Sequence, residues 1–591
     1  MPTVTINGVQ CPFTPGQTIL QAANAAGVGI PFYCYHDALS IVASCRICLG
    51  EVWAPNPRNE NRLEPFMGGK LVPTCQTPAA DGMVVHTDSP KAVQNQKAVM
   101  EYLLINHPLD CPVCDQAGEC LLQDYSFKYG RGVSRFQEQK VKNPKKDVGP
   151  HVYLYADRCI MCTRCVRFTR EVSGTAELYV DGRGNKEEID VFPGVGIANP
   201  LSANVIDLCP VGALLDKDFL FAQRVWFLRS TPSIDGITAS GDNIWIEHNE
   251  GRVYRIKPRE NMGVNKWWIT DEVRYGWKHV HSDSRLRSTM RRQYGVLVED
   301  DSERCYADAI DGLRRAVEGG RRLALLVSPM LTCEDAWALA TLAREIDPSA
   351  ILGVGPIPRH GEDQTFPPGA TDDDPRAFRV YAEKAPNARG VRRVLASLGG
   401  ATLDDDAFVR RIAGDEVGAI ILTGNYTGAD WVPQPLADAA DRRHGRFVVL
   451  IDTLGGPLID GADVVLPGCT WVEKAGTFEN ARGLLQAFEA AIPPVEFARS
   501  EGQIAFDLLA VLHGEALASP RRVKVVVVDE QPGMVPQATE VVLPRSRLFN
   551  ASAVRREMAQ AAPSLSIFAT GIVEPPSASR QTAAAVEMVD L

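Results

Sequence analysis

The residues that could do chemistry are sulfur-bearing, and they are bunched. Of fifteen cysteines in 591 residues, twelve precede residue 210, and only Cys305, Cys333 and Cys469 follow. The tightest group is the stretch 107–120, HPLDCPVCDQAGEC, in which His107, Cys111, Cys114 and Cys120 are separated by three, two and five residues. Two prolines and a glycine keep this stretch looped, so four soft or borderline donors can converge on a metal. Taken alone, three cysteines and a histidine suit structural zinc as well as an iron–sulfur cluster. The company it keeps favours the cluster. Before it lie Cys34, Cys45, Cys48 and Cys75, spaced C-x10-C-x2-C-x26-C. Four thiolates on loops of a small β domain suit a two-iron, two-sulfur cluster. After it come Cys159, Cys162 and Cys165 as C-x2-C-x2-C, with Cys209-Pro210 following 43 residues later. Three cysteines at that pitch wrap three corners of a four-iron, four-sulfur cube and a remote Cys-Pro completes it, a pattern zinc sites rarely use.

Cys11 sits on a predicted strand outside the first loop and, like the three late cysteines, reads as a thiol without a role. His36, beside four available cysteines, reads as a neighbour of the site or a surface residue rather than a ligand. Arg158, Arg164 and Arg167 surround the third loop. They suit either of two roles: cations favouring the reduced form of an anionic cluster, or ordinary surface ion-pair partners.

The elements that must position these donors follow from local signals. Val4–Ile6 and Val9–Cys11 flank Asn7-Gly8, the strongest short hairpin signal. Residues 18–26 (TILQAANAA) read as a short helix with Thr18 as cap and Gly27 as stop. Strand, strand, helix and cysteine loop is the order of a β-grasp ferredoxin, although the first gap of ten departs from the four of the plant type. Residues 54–70 read as a surface insertion. Residues 90–106 place Val93, Ala98, Val99, Tyr102, Leu103 and Ile105 at helical spacing, leading rigidly into the His107 loop. LLQDYSFKYG, after Cys120, continues as a helix whose aromatic residues pack. The basic strip 138–150 reads as a solvated linker.

Size and composition exclude several classes. The length implies three to four domains. Net charge is −11 with the basic residues dispersed, so there is no footprint for nucleic acid. No apolar run approaches a membrane span and the amino terminus lacks a secretory pattern, so a peripheral position through partners is expected. Cysteine usage fits thiolate-bound metal in a reducing compartment rather than a disulfide scaffold.

The order of the three sets resembles the large iron–sulfur subunit of respiratory complex I, the NADH:quinone oxidoreductase component called G in bacteria and the 75 kDa subunit in mitochondria. CYHDALSIVASCRICLGEV (34–52), NHPLDCPVCDQAGECLLQD (106–124), DRCIMCTRCVRF (157–168) and DLCPVGALLD (207–216) carry the resemblance, which is continuous over about residues 1–280. It implies one 2Fe-2S cluster on Cys34, Cys45, Cys48 and Cys75. It implies one 4Fe-4S cluster on His107, Cys111, Cys114 and Cys120, and another on Cys159, Cys162, Cys165 and Cys209. Implied partners are the flavin- and NADH-binding subunit, which delivers electrons, and the quinone-side iron–sulfur subunits, which receive them. The implied location is the cytoplasmic face of the inner membrane, with no span in this chain. No catalytic residue, NADH site or quinone site is expected here. Rival readings are a molybdenum formate dehydrogenase, an iron-only hydrogenase and a zinc-stabilised scaffold. The first needs a metal ligand and intact pterin loops. The second needs paired ferredoxin runs and a cysteine-rich carboxy-terminal domain. The third would be colourless and free of sulfide.

Some members of the family carry a further cluster spaced C-x2-C-x3-C-x27-C. Here Asp235, Thr238, Asp242 and Thr270 stand at that spacing, and such oxygen donors are poor partners for a cluster. No fourth cluster is expected. From about residue 320, strands LALLVS (323–328), GAIILTG (418–424) and RFVVLID (446–452) alternate with helices, predicting an α/β domain with a largely parallel sheet. Residues 462–486 resemble a motif of molybdopterin oxidoreductases, here without an expected cofactor. The fold class is thus α/β and α+β multidomain. Its expected parts are a 2Fe-2S β-grasp domain (1–78), a histidine/three-cysteine domain (79–150) and a ferredoxin-like 4Fe-4S domain (151–222). A cysteine-free framework (223–280), a degenerate molybdopterin-oxidoreductase-like domain (281–530) and an extension (531–591) follow, the last stretch flexible or ordered by partners.

Overall fold

The computed structural model describes residues 1–371, 373–515, 521–527, 537–543, 547–576 and 579–580. The chain divides into two compact units, one built on Met1–Leu228 with Thr365–Phe378, the other on Arg229–Gln364 with Arg379–Arg580.

In the first unit, strands β1 (Thr3–Ile6) and β2 (Val9–Pro12) pair antiparallel around Asn7 and Gly8, both at positive φ, as the Asn-Gly turn requires. Helix α1 (Ile19–Ala25) opens on a complete capping box between Thr18 and Gln21 and buries Ile19, Leu20, Ala22 and Ala23. Strands β3 (Leu49–Asn56), β4 (Arg62–Pro65), β5 (Val72–Pro73) and β6 (Val84–His86) complete a mixed sheet ordered β2-β1-β6-β3-β4, with β5 beside β3. The insertion at 54–70 is an exposed hairpin, because β3 runs on past the core to pair with β4.

The helix expected over 90–106 is α2 (Pro90–Leu104), which begins at the Ser89 cap with Pro90 in its first turn. Its buried face differs from the predicted one: Ala92, Gln96 and Met100 point inward, while Ala98 and Tyr102 are exposed. Tyr33 decides this, because its hydroxyl seeks the Met100 sulfur. Helix α3 (Leu121–Tyr129) follows Cys120; Tyr125 packs on Tyr33 and Tyr129, but Phe127 is exposed, against expectation. The strip 138–150 is not a free linker. Lys140 Nζ donates to the Leu104 and Ile105 carbonyls at 2.7 and 2.8 Å, holding the end of α2, and strand β7 (Lys145–Asp147) pairs with β8 (Val152–Tyr155). Helix α4 (Arg164–Glu171), strands β9 (Leu178–Asp181) and β10 (Glu188–Val191), helix α5 (Asn204–Leu208) and strand β11 (Leu214–Asp216) complete the unit's main part.

The second unit opens with antiparallel strands β12 (Arg229–Ile234), β13 (Asn243–Asn249) and β14 (Arg252–Pro258), followed by helix α6 (Asp271–Tyr275). Ile234, Ile237, Ile244 and Trp277 share a core with Trp471, Phe478 and Phe488. Gly236 is required there, since a Cβ would lie 2.4 Å from the Trp471 ring. The remainder is organised by an eight-stranded sheet. Its run Val464–Pro467, Phe447–Asp452, Val417–Thr423, Arg322–Val327, Ile351–Val354 and Thr402–Leu403 is parallel, with Met290–Gln293 and Val296–Glu299 added antiparallel at one edge. In the stretch beyond residue 530, helix Ala551–Ala561 packs Val554 and Met558 into the same core as Leu325, Val327 and Ile504. The expectation for the last stretch, 575–591, falls almost wholly outside the described residues.

Candidate metal centres

The first four cysteines sit where backbone rather than regular structure sets direction. Ala43 and Arg46 adopt positive φ on either side of Cys45, and Thr74 Oγ1 donates to the Cys48 carbonyl at 2.8 Å, tying the Cys75 turn to the loop. Cys34, Cys48 and Cys75 are buried, and the Cys34 and Cys45 sulfurs are 3.5 Å apart. Crowding splits their acidity in pairs. Contact between the Cys34 and Cys45 sulfurs brings Cys34 down to about 5 and raises Cys45, and the Cys48–Cys75 pair splits likewise, with Cys48 brought to about 7. Thiolates packed this closely repel one another unless cationic charge lies among them. A metal cluster supplies that charge, and the donor set fits one.

At the second centre, α2 delivers His107 just beyond the Lys140 clamp. Leu109 at positive φ turns the chain into a short 3₁₀ turn at Cys111–Val113, and Cys120 caps α3. His107, Cys111 and Cys120 line one open cavity of about 480 Å³ together with Leu109 and Leu122. Cys114 does not line that cavity; its Sγ lies against Gly212, where a Cβ would come within 2.3 Å. Only glycine leaves room there. Burial lowers the His107 basicity, which keeps the imidazole neutral as a ligand must be, and pushes Cys120 up to about 12.

At the third centre, Met161 and Thr163 both take positive φ, which curls 159–163 around before α4 starts. The Met161 amide donates to Cys159 Sγ at 3.4 Å. Cys209 caps α5. Burial pushes all four thiols up, Cys162 to about 11. Among the described residues, no three or more His, Cys, Asp or Glu side chains close around a single ion.

The arginines beside the third loop are not surface residues. Arg158, Arg164 and Arg167 are 3, 6 and 8% exposed. Arg158 grips the Asp110 carboxylate of the second loop, with Nη2–Oδ2 at 2.5 Å, and reaches the Gly212 carbonyl at 3.4 Å. Arg164 and Arg167 bind backbone carbonyls of the first and third loops. His36, half-buried, accepts from the Ala38 amide, and burial with the charges of Arg164 and Arg167 brings it to about 4. Cys11 is fully buried in the β-sheet core.

At the fourth spacing the donors do not fit a cluster. Asp235 accepts from the Ile237 amide at 2.8 Å, from the Thr238 amide at 3.2 Å and from the Thr238 hydroxyl, while Thr270 Oγ1 caps α6 through the Val273 amide at 3.2 Å. These groups already serve the protein's own backbone, and Asp242 beside them is buried. In the molybdopterin-like segment the conspicuous polar residues also turn inward. Glu473 pairs with Arg285, Lys474 with Asp335 and Glu501, Glu479 with Arg393, and Thr477 Oγ1 donates to Glu334 at 2.6 Å. Sequence reading missed these pairs, whose partners lie up to nearly two hundred residues away.

Family models match the chain in the same order. They are described as a 2Fe-2S iron–sulfur cluster binding domain (1–90), an NADH-ubiquinone oxidoreductase-G iron–sulfur binding region (96–135), and an NADH-quinone oxidoreductase subunit 3 ferredoxin-like domain (149–215). An NADH-ubiquinone oxidoreductase NDSU1/NuoG-like 4Fe-4S domain (228–278) and a molybdopterin oxidoreductase domain (409–511) follow. The chain has no cysteine within 228–278. It is 38% identical over 53% of its length to the NADH-quinone oxidoreductase G subunit of Rickettsia bellii, covering 44% of that protein. It is 36% identical over 58% of its length to the G subunit of Rickettsia felis, covering 49% of it. To the mitochondrial NADH dehydrogenase [ubiquinone] iron–sulfur protein 1 of Solanum tuberosum it is 45% identical over 46% of its length, covering 35% of that protein. The chain thus spans half or less of the length of these curated relatives. A solved NAD+-reducing [NiFe]-hydrogenase chain is 30% identical over 38% of this chain and 91% of its own, at a TM-score of 0.33.

Proposed function

We propose that this chain, a homologue of the NADH-quinone oxidoreductase G subunits, is the electron-relay subunit of an NADH:quinone oxidoreductase. The observation that carries the reading is that three cysteine sets, one including His107, lie buried or half-buried in one compact unit whose arginines link their loops. Cys34, Cys45, Cys48 and Cys75 would hold a 2Fe-2S cluster. His107, Cys111, Cys114 and Cys120 would hold a 4Fe-4S cluster, and Cys159, Cys162, Cys165 and Cys209 a second. When bound, such clusters exchange single electrons with little rearrangement. The chain's own part is to hold the donors, keep water from the sulfurs, and set each potential through ligand type, burial and nearby cations.

Electrons would arrive from a flavin-bearing partner at the first centre and leave toward quinone-side iron–sulfur partners. The chain itself would neither oxidise NADH nor reduce quinone. We read 1–78, 79–150 and 151–222 as the three cluster-bearing domains, the first a β-grasp. We read 223–280 as a framework without a cluster, 281–530 as a degenerate pterin-type domain, and 531–591 as an extension. The commitment of Asp235, Thr238 and Thr270 to internal hydrogen bonds supports the absence of a fourth cluster. The internal pairing of Glu473, Lys474 and Glu479 supports a domain that carries no molybdopterin. Among the described residues no helix is long and apolar enough to cross a membrane, and we place the chain peripherally, on the cytoplasmic face, through its partners.

Substituting His107→Cys tests the assignment most selectively. A thiolate in place of a neutral imidazole adds negative charge, so the cluster should persist with its midpoint potential lowered in an EPR-monitored titration. An unchanged midpoint in a loaded variant would count against ligation by His107.

A further inference from the structure

Helix α4 directs three polar side chains at the loop that begins with Cys34. Arg164, Arg167 and Glu171 are spaced i, i+3, i+7, which places them in one stripe along the helix. Arg164 Nη2 donates to the Tyr35 carbonyl at 2.5 Å. Arg167 Nη2 donates to the Cys34 carbonyl and Nη1 to the Ser40 carbonyl, both at 2.5 Å. The Glu171 carboxylate accepts from the Ser40 amide at 2.8 Å and from its hydroxyl at 2.5 Å. The same Arg167 Nη2 also reaches the Cys162 carbonyl at 3.2 Å, and Arg164 Nη1 reaches the carbonyl of Leu208, the residue before Cys209, at 3.2 Å. One guanidinium nitrogen therefore joins a ligand residue of the first centre to a ligand residue of the third.

These are expensive cations to bury. Arg164 and Arg167 hydrogen-bond to neutral carbonyls, each leaves its buried Nε without a hydrogen-bond partner, and neither forms an ion pair among the described residues. A buried charge without a counter-charge is strongly unfavourable. The groups here that can supply that counter-charge are the thiolate-bound centres on either side. Resting on the relay reading above, we propose that Arg167, braced by Arg164 and Glu171, is a positioning residue between the Cys34 and Cys162 centres. Its charge favours the reduced form of both, and the Nη2 hydrogen bonds to the Cys34 and Cys162 carbonyls fix their separation. The step it serves moves one electron, one centre oxidised as the other is reduced, with no bond made or broken.

The test uses the full chain, loaded anaerobically with iron and sulfide, as wild type, Arg167→Gln and Arg167→Lys. Iron and sulfide contents are measured, and midpoints are read by EPR-monitored titration. The Gln variant should keep all three clusters, with the Cys34 and Cys162 midpoints shifted down and the His107 midpoint unmoved. The Lys variant, which keeps the charge, should return both midpoints toward wild type while weakening the magnetic coupling between the two centres. Unshifted midpoints in a loaded Gln variant would overturn the proposal. Where the Gln variant fails to load, the Lys variant decides: wild-type midpoints support the proposal, and a downward shift with the charge retained overturns it. A wild-type chain that loads no iron or sulfide would defeat the relay reading before Arg167 is touched, and this proposal with it.

Discussion

Two regions of the chain answer the same structural problem differently. Around Cys159–Cys165 and Cys209 the cysteines are buried or half-buried, and the nearby arginines donate to backbone carbonyls rather than to the thiols. At Asp235–Asp242, within the stretch matched by the NuoG-like 4Fe-4S model, the Asp235 carboxylate accepts the Ile237 and Thr238 amides. Under the relay proposal, the second region needs no cluster because the Asp235 carboxylate satisfies buried amides of its loop. The first region should depend on metal for its fold, and the second should not.

Removing metal should therefore separate the two most sharply. Oxidative stripping of iron should unfold the unit built on residues 1–228 well before the α/β unit, since cluster binding contributes directly to folding there. Two calorimetric transitions, the lower one alone falling on stripping, are expected; a single unmoved transition would erase the contrast. Asp235→Ala comes next. It leaves two amides and a hydroxyl without their acceptor inside a fully buried site, and should cost about 2–4 kcal/mol in denaturant unfolding of the second unit, with iron content unchanged.

The smallest effect concerns protons. Burial raises the Asp235 carboxyl to about 6 and also raises Asp242, which Asp235's charge pushes further in the same direction. A carboxyl raised in the folded state binds more protons there than in the unfolded chain. Its contribution is complete below the unfolded carboxylate range and is lost as pH rises through about 6. Asp242→Asn, which removes the second ionisable carboxyl of the pair, should raise stability at neutral pH and lessen its fall with rising pH. An unchanged pH profile would show that the pair does not share this burden.

Much of this was legible in the sequence, and what was not shares a cause. Asn7-Gly8, the Thr18 cap and the parallel strand runs are local signals, and the folded chain follows them. The cysteine and histidine intervals behind the proposed centres are equally plain, because a candidate metal site is written in residue type and interval. The inward face of α2 was misread, since Val93 and Tyr102 are more apolar than Gln96, yet Gln96 Nε2 finds the Thr87 carbonyl at 2.9 Å and is buried. The strip 138–150 looked like solvent-facing linker because the carbonyls that Lys140 holds lie some 35 residues back. Arg164 and Arg167 could be placed beside a loop but not between two of them, since Cys34 is 133 residues from Arg167. Contacts set by tertiary distance leave no interval to read.

The central claim is that this chain carries three iron–sulfur clusters and no fourth metal centre. Elemental and sulfide analysis of anaerobically purified full-length protein, with low-temperature EPR after dithionite reduction, tests it most directly. The expected result is about ten iron and ten sulfide per chain, one two-iron and two four-iron signals, and negligible zinc and molybdenum. Stoichiometric zinc with no acid-labile sulfide, or a third four-iron signal, would contradict it.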